Sequence, residues 1–355
     1  MQSRKEFLKN TVLIAAGTSI LSINNLFGSS TSSADRSIYF DFHCHPGFSF
    51  ATGFPAFDSE EALNKTLAEM VAGNVTSAFI TLIADAPLIK LGATGINVAG
   101  KYSPGDAWKE YKRQLNQVKS AYTNVQVKLT TDLLDLNYTN KKIAGLIAVE
   151  GGDFLEGKIN LLEEAYQDGV RSIQLVHYVP NDVGDLQTSE STFNGLSAFG
   201  KELVPIMNQL GMAIDLAHAS YQTTKDVAKL TKAPIILSHS ILEMETDRPI
   251  AKRAISKEHA KLIAETDGVI GAWPSGFNKS FEEYVDNIKR LVDVVGIDHV
   301  GIGTDMDRNF KPVLSSYRQY PQLAGALKIK GFSSTEVGKI MGENAKTVLE
   351  KILKK

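Results

Sequence analysis

Seven side chains of this 355-residue sequence have the types and the placing to hold metal ions and move protons: His43, His45, Glu150, His177, His218, His239 and Asp305. Each stands at or just beyond the C-terminal end of a short, β-rich apolar run. Neutral imidazoles and carboxylates are donors that zinc accepts. His43 and His45 are two residues apart, so on a strand they share a face while Cys44 turns away. Four imidazoles and one bridging carboxylate could hold a pair of zinc ions about 3.5 to 4 Å apart. Singly these residues carry little weight. A lone histidine is more often a hydrogen-bonded structural residue, Glu150 ahead of Gly151-Gly152 could cap a turn, and Asp305 could orient backbone amides. Their common placing carries the argument. Of the other two histidines, His259 reads as solvated helix surface and His299, which opens a run, as structural.

The elements that must position them alternate along the chain. Strand-like runs cover Ile38–His43, Ser77–Ile83, Ile143–Glu150, Arg171–His177, Met212–His218, Pro234–His239, Gly268–Trp273 and His299–Asp305. Helical patterns lie between them: Glu60–Ala72 behind the cap pair Asp58 and Glu61, Ala107–Ala121, Gly195–Gln209, Ser256–Thr266 and Phe281–Val294, with Thr335–Ile352 closing the chain. Eight strands alternating with helices predict an α/β fold, a (β/α)8 TIM barrel of the metal-dependent hydrolase type. A doubly wound open sheet is the alternative, but no Gly-rich phosphate turn follows the first run. The irregular stretches Pro87–Gly105, Val179–Asn194 and Pro274–Lys279 all follow strands. In a barrel they fall on the C-terminal face, where loops build the site.

Composition narrows the function classes. The chain is 43% hydrophobic and 22% charged with a net charge of −2, so a nucleic-acid partner gains no support. A single cysteine, Cys44, excludes an internal disulfide and a cysteine zinc cluster. Near the N-terminus a basic Arg4-Lys5-Glu6-Phe7-Leu8-Lys9 segment precedes the apolar stretch Thr11–Ile23 and then the small polar run Gly28–Ser33. That layout predicts an export signal over residues 1–33 and a single catalytic barrel over 34–355. The signal is twin-arginine-like, with Lys5 as the second basic residue, or general secretory, and it implies a periplasmic protein. No cysteine near the end of the apolar stretch suits a lipid anchor, and no later run reaches the roughly 20 apolar residues of a membrane span.

Several segments also resemble the membrane (renal-type) dipeptidases, peptidase family M19 of the amidohydrolase superfamily. They are Asp41-Phe-His-Cys-His45, Ala148-Val-Glu-Gly-Gly152, Gly169-Val-Arg-Ser-Ile-Gln-Leu-Val-His177, Gly211-Met-Ala-Ile-Asp-Leu-Ala-His218 and Pro234-Ile-Ile-Leu-Ser-His-Ser240. Thr266-Asp267-Gly268, His299-Val-Gly-Ile-Gly-Thr-Asp305 and Gly342-Glu-Asn344 agree as well. The resemblance implies a zinc-dependent dipeptidase that uses a metal-bridging hydroxide. It makes His43, His45, Glu150, His218 and His239 the ligands of two zinc ions, with Glu150 as the bridge. It makes His177 and Arg253 substrate contacts, His177 also the oxyanion donor, and Asp305 the acid/base residue. The implied partner is a small peptide, with a C-terminal D-residue as one option, and a homodimer is plausible in the family.

Two departures stand out. The family usually opens with His-x-Asp where this chain has His43-Cys44-His45, which makes the site less negative by about one charge and bears on metal preference. Arg248 also competes with Arg253 for the substrate role. Other superfamily hydrolases (an amidase, a lactonase or a phosphoester hydrolase) and an inactive ligand-binding barrel are the competing readings.

Overall fold

The computed structural model describes residues 38–48, 60–92, 95–123, 125–137, 142–244 and 252–353. The expected export region, the cap residue Asp58 and the alternative arginine Arg248 lie outside the described residues. Eight parallel strands follow in order: β1 (Phe40–Cys44), β2 (Ser77–Ile83), β3 (Ile143–Glu150), β4 (Val170–Gln174), β5 (Ala213–Asp215), β6 (Ile236–Leu242), β7 (Val269–Ala272) and β8 (Val300–Ile302). Each pairs with the next in sequence order. A parallel bridge between Cys44 and Met306 joins the last strand's extension to the first. There the His45 amide donates to the Met306 carbonyl at 3.0 Å, and the Asp305 amide to the His43 carbonyl at 2.8 Å. The sheet thus closes into the (β/α)8 barrel expected from the eight runs.

Helices return each strand to the next: α1 (Glu60–Ala72), α2 (Asp106–Ala121), α3 (Ile159–Gln167), α4 (Ala198–Leu210), α5 (Tyr221–Leu230), α6 (Lys257–Ala264) and α7 (Phe281–Val295); α8 (Tyr320–Ile329) and α9 (Asn344–Ile352) follow β8. Four begin at a serine whose hydroxyl accepts an early backbone amide: Ser197, Ser220, Ser256 and Ser280. Such caps satisfy donors that the first turn leaves open, and each contributes about 1 kcal/mol. The closing helix is not continuous. Gly342 breaks it with non-helical backbone angles (φ 175°, ψ −23°), and only glycine fits there, because a Cβ would stand 2.2 Å from the Ile38 carbonyl oxygen.

Two apolar layers form. The outer layer lies between strands and helices. The inner one fills the barrel's lower half with Phe40, Phe42, Phe79, Leu146, Ala213, Ile236 and Val269, and α9 floors it with Val348, Leu349 and Ile352. Phe40 meets Phe42 and Phe79 edge to face, at centroid distances of 5.1 and 5.5 Å. Alternation on β3 puts Ala144, Leu146 and Ala148 in this interior and carries Glu150 to the mouth above them.

Two strands break the alternation near the mouth. On β1, the four residues from Asp41 to Cys44 span what three (Ala78 to Ile80) span on β2. On β6, Leu237 to Ser240 does the same against Ile270 to Ala272 of β7. A bulge of this kind re-aims a side chain. Phe42 accordingly stays in the interior while His43 also reaches the mouth, and Cys44 turns outward to the layer under α1. Just below, Gly271 and Gly303 flank the Ser238 carbonyl so closely that a Cβ at either would lie 1.8 Å from its oxygen.

Several expected strands end early. β4, β5 and β8 stop at Gln174, Asp215 and Ile302, so His177, His218 and Asp305 stand in the turns beyond. His218 and Asp305 adopt left-handed backbone angles, with φ of 68° and 53°. Pro87–Gly105, expected to be irregular, contains a hairpin of Ile89–Gly92 against Gly95–Val98. His259, expected on the surface, is buried, and its Nε2 lies 2.8 Å from Thr224 Oγ1.

Candidate metal centre

Glu150 is the hub of the mouth. Its Oε1 lies 3.4 Å from His43 Nε2, 3.3 Å from His177 Nε2 and 3.5 Å from His218 Nε2, and its Oε2 lies 3.6 Å from His45 Nε2. His45 Nε2 is also 3.3 Å from Asp305 Oδ1, and the Nε2 atoms of His218 and His239 are 3.2 Å apart. Every expected site residue on these strand ends therefore converges, and all are buried.

The spacings suit a metal. Two donors on one zinc at about 2.0 to 2.1 Å, set at tetrahedral angles, lie roughly 3.3 Å apart. Three groupings have all their ligand atoms within 4.8 Å of one another: His43, His45 and Asp305; His43, Glu150 and His239; and Glu150, His177 and His218. Glu150 and His43 each belong to two of them. His177, expected as a substrate contact, thus also stands at ligand distance from its neighbours.

Protonation tendencies divide these residues. Burial, together with the charge of Arg253 on one and of His43 on the other, holds His218 and His239 well below the usual imidazole range, so both stay neutral. Neutral rings are the ligand form. Burial also lowers His45, with the charge of His43 adding to it. Burial alone would raise Glu150, but the charges of His177 and His43 keep it well below the carboxylate range. His43 departs the other way: despite burial, Glu150 and then Asp305 and Asp215 push it up to about 9.

A second ring of residues aims these side chains. The Thr81 carbonyl lies 2.9 Å from His45 Nδ1, and Ser238 Oγ lies 3.3 and 3.1 Å from the Nδ1 atoms of His43 and His239. Asp41 ties the seam of the barrel. Its Oδ1 accepts from the His43 and Thr304 amides, and its Oδ2 accepts from the hydroxyls of Thr304 and Tyr317. Asp215 Oδ1 accepts from the Ala217 and Ser238 amides at 3.0 and 2.9 Å. Such partners fix ring orientation and tune basicity. Asp85, two residues past β2, holds His177 with an Nδ1 to Oδ1 distance of 2.6 Å.

Arg253 approaches from the β6 side. It is buried, donates to Gln187 Oε1, stands 3.5 Å from His239 Nε2 and lies 5.4 Å above the Trp273 ring. Burial lowers its guanidinium from the usual arginine range. Arg308, three residues past Asp305, is a second basic neighbour; burial brings it down to about 10 against the charges of Glu150 and Asp305. Asp85, Trp273 and Arg308 escaped the sequence reading. The signal for the first two was present, since each ends or follows a strand as the histidines do. Arg308 gave no such signal.

Comparison with known proteins bears on what this centre serves. A family model described as membrane dipeptidase, peptidase family M19, matches residues 32–354. The dipeptidase verJ of Clonostachys rogersoniana is 30% identical over 223 residues, which cover 61% of this chain. That alignment spans 57% of the relative's length. Two solved structures share the fold. The dipeptidase AC, a metallo-peptidase of family M19, superposes with a TM-score of 0.76 at 21% identity over 89% of this chain and 99% of its own. A metallo-peptidase from Rhodobacter sphaeroides, liganded with a phosphinate mimic of the dipeptide L-Ala-D-Ala, gives 0.76 at 21% identity over 90% and 100%.

Proposed function

The chain belongs to the membrane dipeptidase family, peptidase family M19, and from that premise we propose that it is a zinc-dependent dipeptidase. The observation that carries the reading is Glu150 within 3.3 to 3.6 Å of His43, His45, His177 and His218. His43, His45, Glu150, His218 and His239 would hold two zinc ions, with Glu150 between them. Zinc bound there supplies Lewis-acid polarisation and activation of water at neutral pH.

The chain's own residues do the rest. Asp305 takes the proton of the attacking water and passes it to the leaving amine. Its carboxylate is held beside His45, and its left-handed backbone fixes it at the mouth. His177 donates to the carbonyl oxygen as charge develops, a contact worth roughly 3 to 4 kcal/mol in other enzymes. Arg253 receives the free carboxylate of the substrate, because a planar fork matches two oxygens and its Nε has no partner among the described residues. A terminal carboxylate bound so near the reacting centre limits the substrate to short peptides.

Substrates with a C-terminal D-residue are part of the proposal, supported by the L-Ala-D-Ala mimic bound to the Rhodobacter sphaeroides relative. An exported, periplasmic enzyme of one barrel domain is also proposed, on the basic-apolar-polar layout of residues 1–33. The test is metal content measured beside hydrolysis of L-Ala-L-Ala and L-Ala-D-Ala, with and without chelator. We expect about two zinc ions per chain and chelator-sensitive release of alanine. A protein that takes up no divalent ion, or that cleaves both dipeptides equally well after full chelation, would overturn the reading.

A further inference from the structure

His177 presents both ring nitrogens to carboxylates: Nδ1 to Asp85 Oδ1 at 2.6 Å and Nε2 to Glu150 Oε1 at 3.3 Å. Asp85 is fully buried. Its Oδ2 accepts the amides of Tyr178 and Val179, each at 3.1 Å, so one carboxylate grips the ring and the backbone just behind it. A second carboxylate, the half-buried Asp153, lies close by and accepts from Asn181. Burial and then the charge of Asp85 push Asp153 up to about 7. Short N–H···O contacts to an ionised oxygen are the strong kind, and backbone amides can only donate.

We propose that Asp85 is the positioning residue of His177: by gripping Nδ1 and the two amides just behind the ring, it fixes the ring plane and aims Nε2 at the reacting centre. The inference rests on the place of His177 in the proposed dipeptidase chemistry. Asp85 touches no substrate. It acts through the ring, as the third member of a nucleophile-base-orienter set acts through its histidine.

Asp85→Asn is the informative change. Its amide oxygen still serves Tyr178 and Val179, but a neutral amide grips Nδ1 more weakly than a carboxylate does, so the ring is held less firmly. In the zinc-loaded full-length enzyme we expect kcat for L-Ala-L-Ala to fall about 100-fold, as misplacement of a catalytic group by about 1 Å can cause, and KM to move by less than about threefold. In a His177→Ala background the same change should alter kcat by less than about twofold, because the partner it positions is gone. An equal loss in both backgrounds, or near-normal kcat in the single variant, overturns the assignment. Heteronuclear NMR of the imidazole nitrogens in the zinc-loaded wild-type chain gives an answer even if the variant does not fold or no dipeptide is cleaved. His177 should show a protonated Nδ1; a bare Nδ1 overturns the proposal whatever the dipeptide assay returns.

Discussion

The two ends of the barrel interior are built on opposite terms. The lower half is a dry cluster of Phe40, Phe42, Phe79, Leu146 and Ile236 sealed by α9, with each ring meeting another at an ordinary aromatic distance. The mouth, further along the same strands, crowds five histidines, two carboxylates and Arg253 into buried positions. It also carries left-handed residues at His218, Asp305 and Asp307. Such backbone costs on the order of 1 to 3 kcal/mol at each non-glycine position. One end supplies stability, and the other spends it on a place for metal. This is the stability–activity trade-off expected where a site is strained and charged.

The sharpest way to break that contrast is to neutralise the hub. Glu150→Gln should abolish zinc uptake at the shared position and cut kcat/KM by about 10⁴-fold or more, since two metal positions lose one ligand together. The melting temperature of the metal-free protein should fall modestly, because the charges of His43 and His177 that hold Glu150 ionised lose their buried partner. Metal analysis beside a thermal melt checks both halves. A large fall in stability without loss of metal would place the hub with the floor.

The converse change belongs to the floor. Phe42→Ala should cost about 3 to 5 kcal/mol of stability, as large-to-small changes in packed cores do, while the folded fraction keeps kcat near that of the wild type. Denaturant unfolding beside active-site titration separates the two quantities. A kcat loss beyond about tenfold in folded protein would show that the bulge on β1 transmits floor packing to His43.

A third change probes the outer layer, which belongs to neither end. His259 is buried against Thr224, and burial, with the charge of Arg253 adding to it, lowers its ring to about 4. Between pH 6.5 and 4 the unfolded chain takes a proton there that the folded chain refuses. Stability from this group is therefore intact above pH 6.5 and is lost as pH falls toward 4, by at most about 3 kcal/mol. His259→Gln should flatten the fall in melting temperature between pH 7 and 4.5. An unchanged slope would rule this histidine out as the cause.

Much of this was legible because a parallel barrel gathers strand ends, so a polar residue closing an apolar run is a site candidate without any long-range information. That rule reached His43, Glu150 and His239 directly, and His177, His218 and Asp305 through runs that end earlier than expected. Periodicity could not reveal the bulges on β1 and β6, because an extra residue appears only in register against a neighbouring strand. It also could not find His259 inside: α6 packs its capped first turn on α5, and a single histidine in a charged segment gives no sign of the side it faces. Asp85 was within reach of the same rule as the histidines, but no metal-ligand pattern drew attention to it.

The smallest expected effect tests how far the mouth's crowding extends. Trp273 stands where β7 ends, with its ring centroid 5.5 Å from that of His239 and under the Arg253 guanidinium, so it could serve the metal side or the substrate side. Trp273→Phe keeps an aromatic face but weakens the cation–π contact and deletes an indole N–H that has no partner among the described residues. If the ring steadies Arg253, KM should rise about three- to tenfold with kcat within twofold, a loss near 1 kcal/mol of substrate binding. If it backs His239 instead, kcat and zinc affinity should fall together while KM stays put. The first outcome confines the catalytic strain to the histidine cluster and leaves the arginine side as a preformed clamp; the second extends the strained region across the whole rim from β6 to β7.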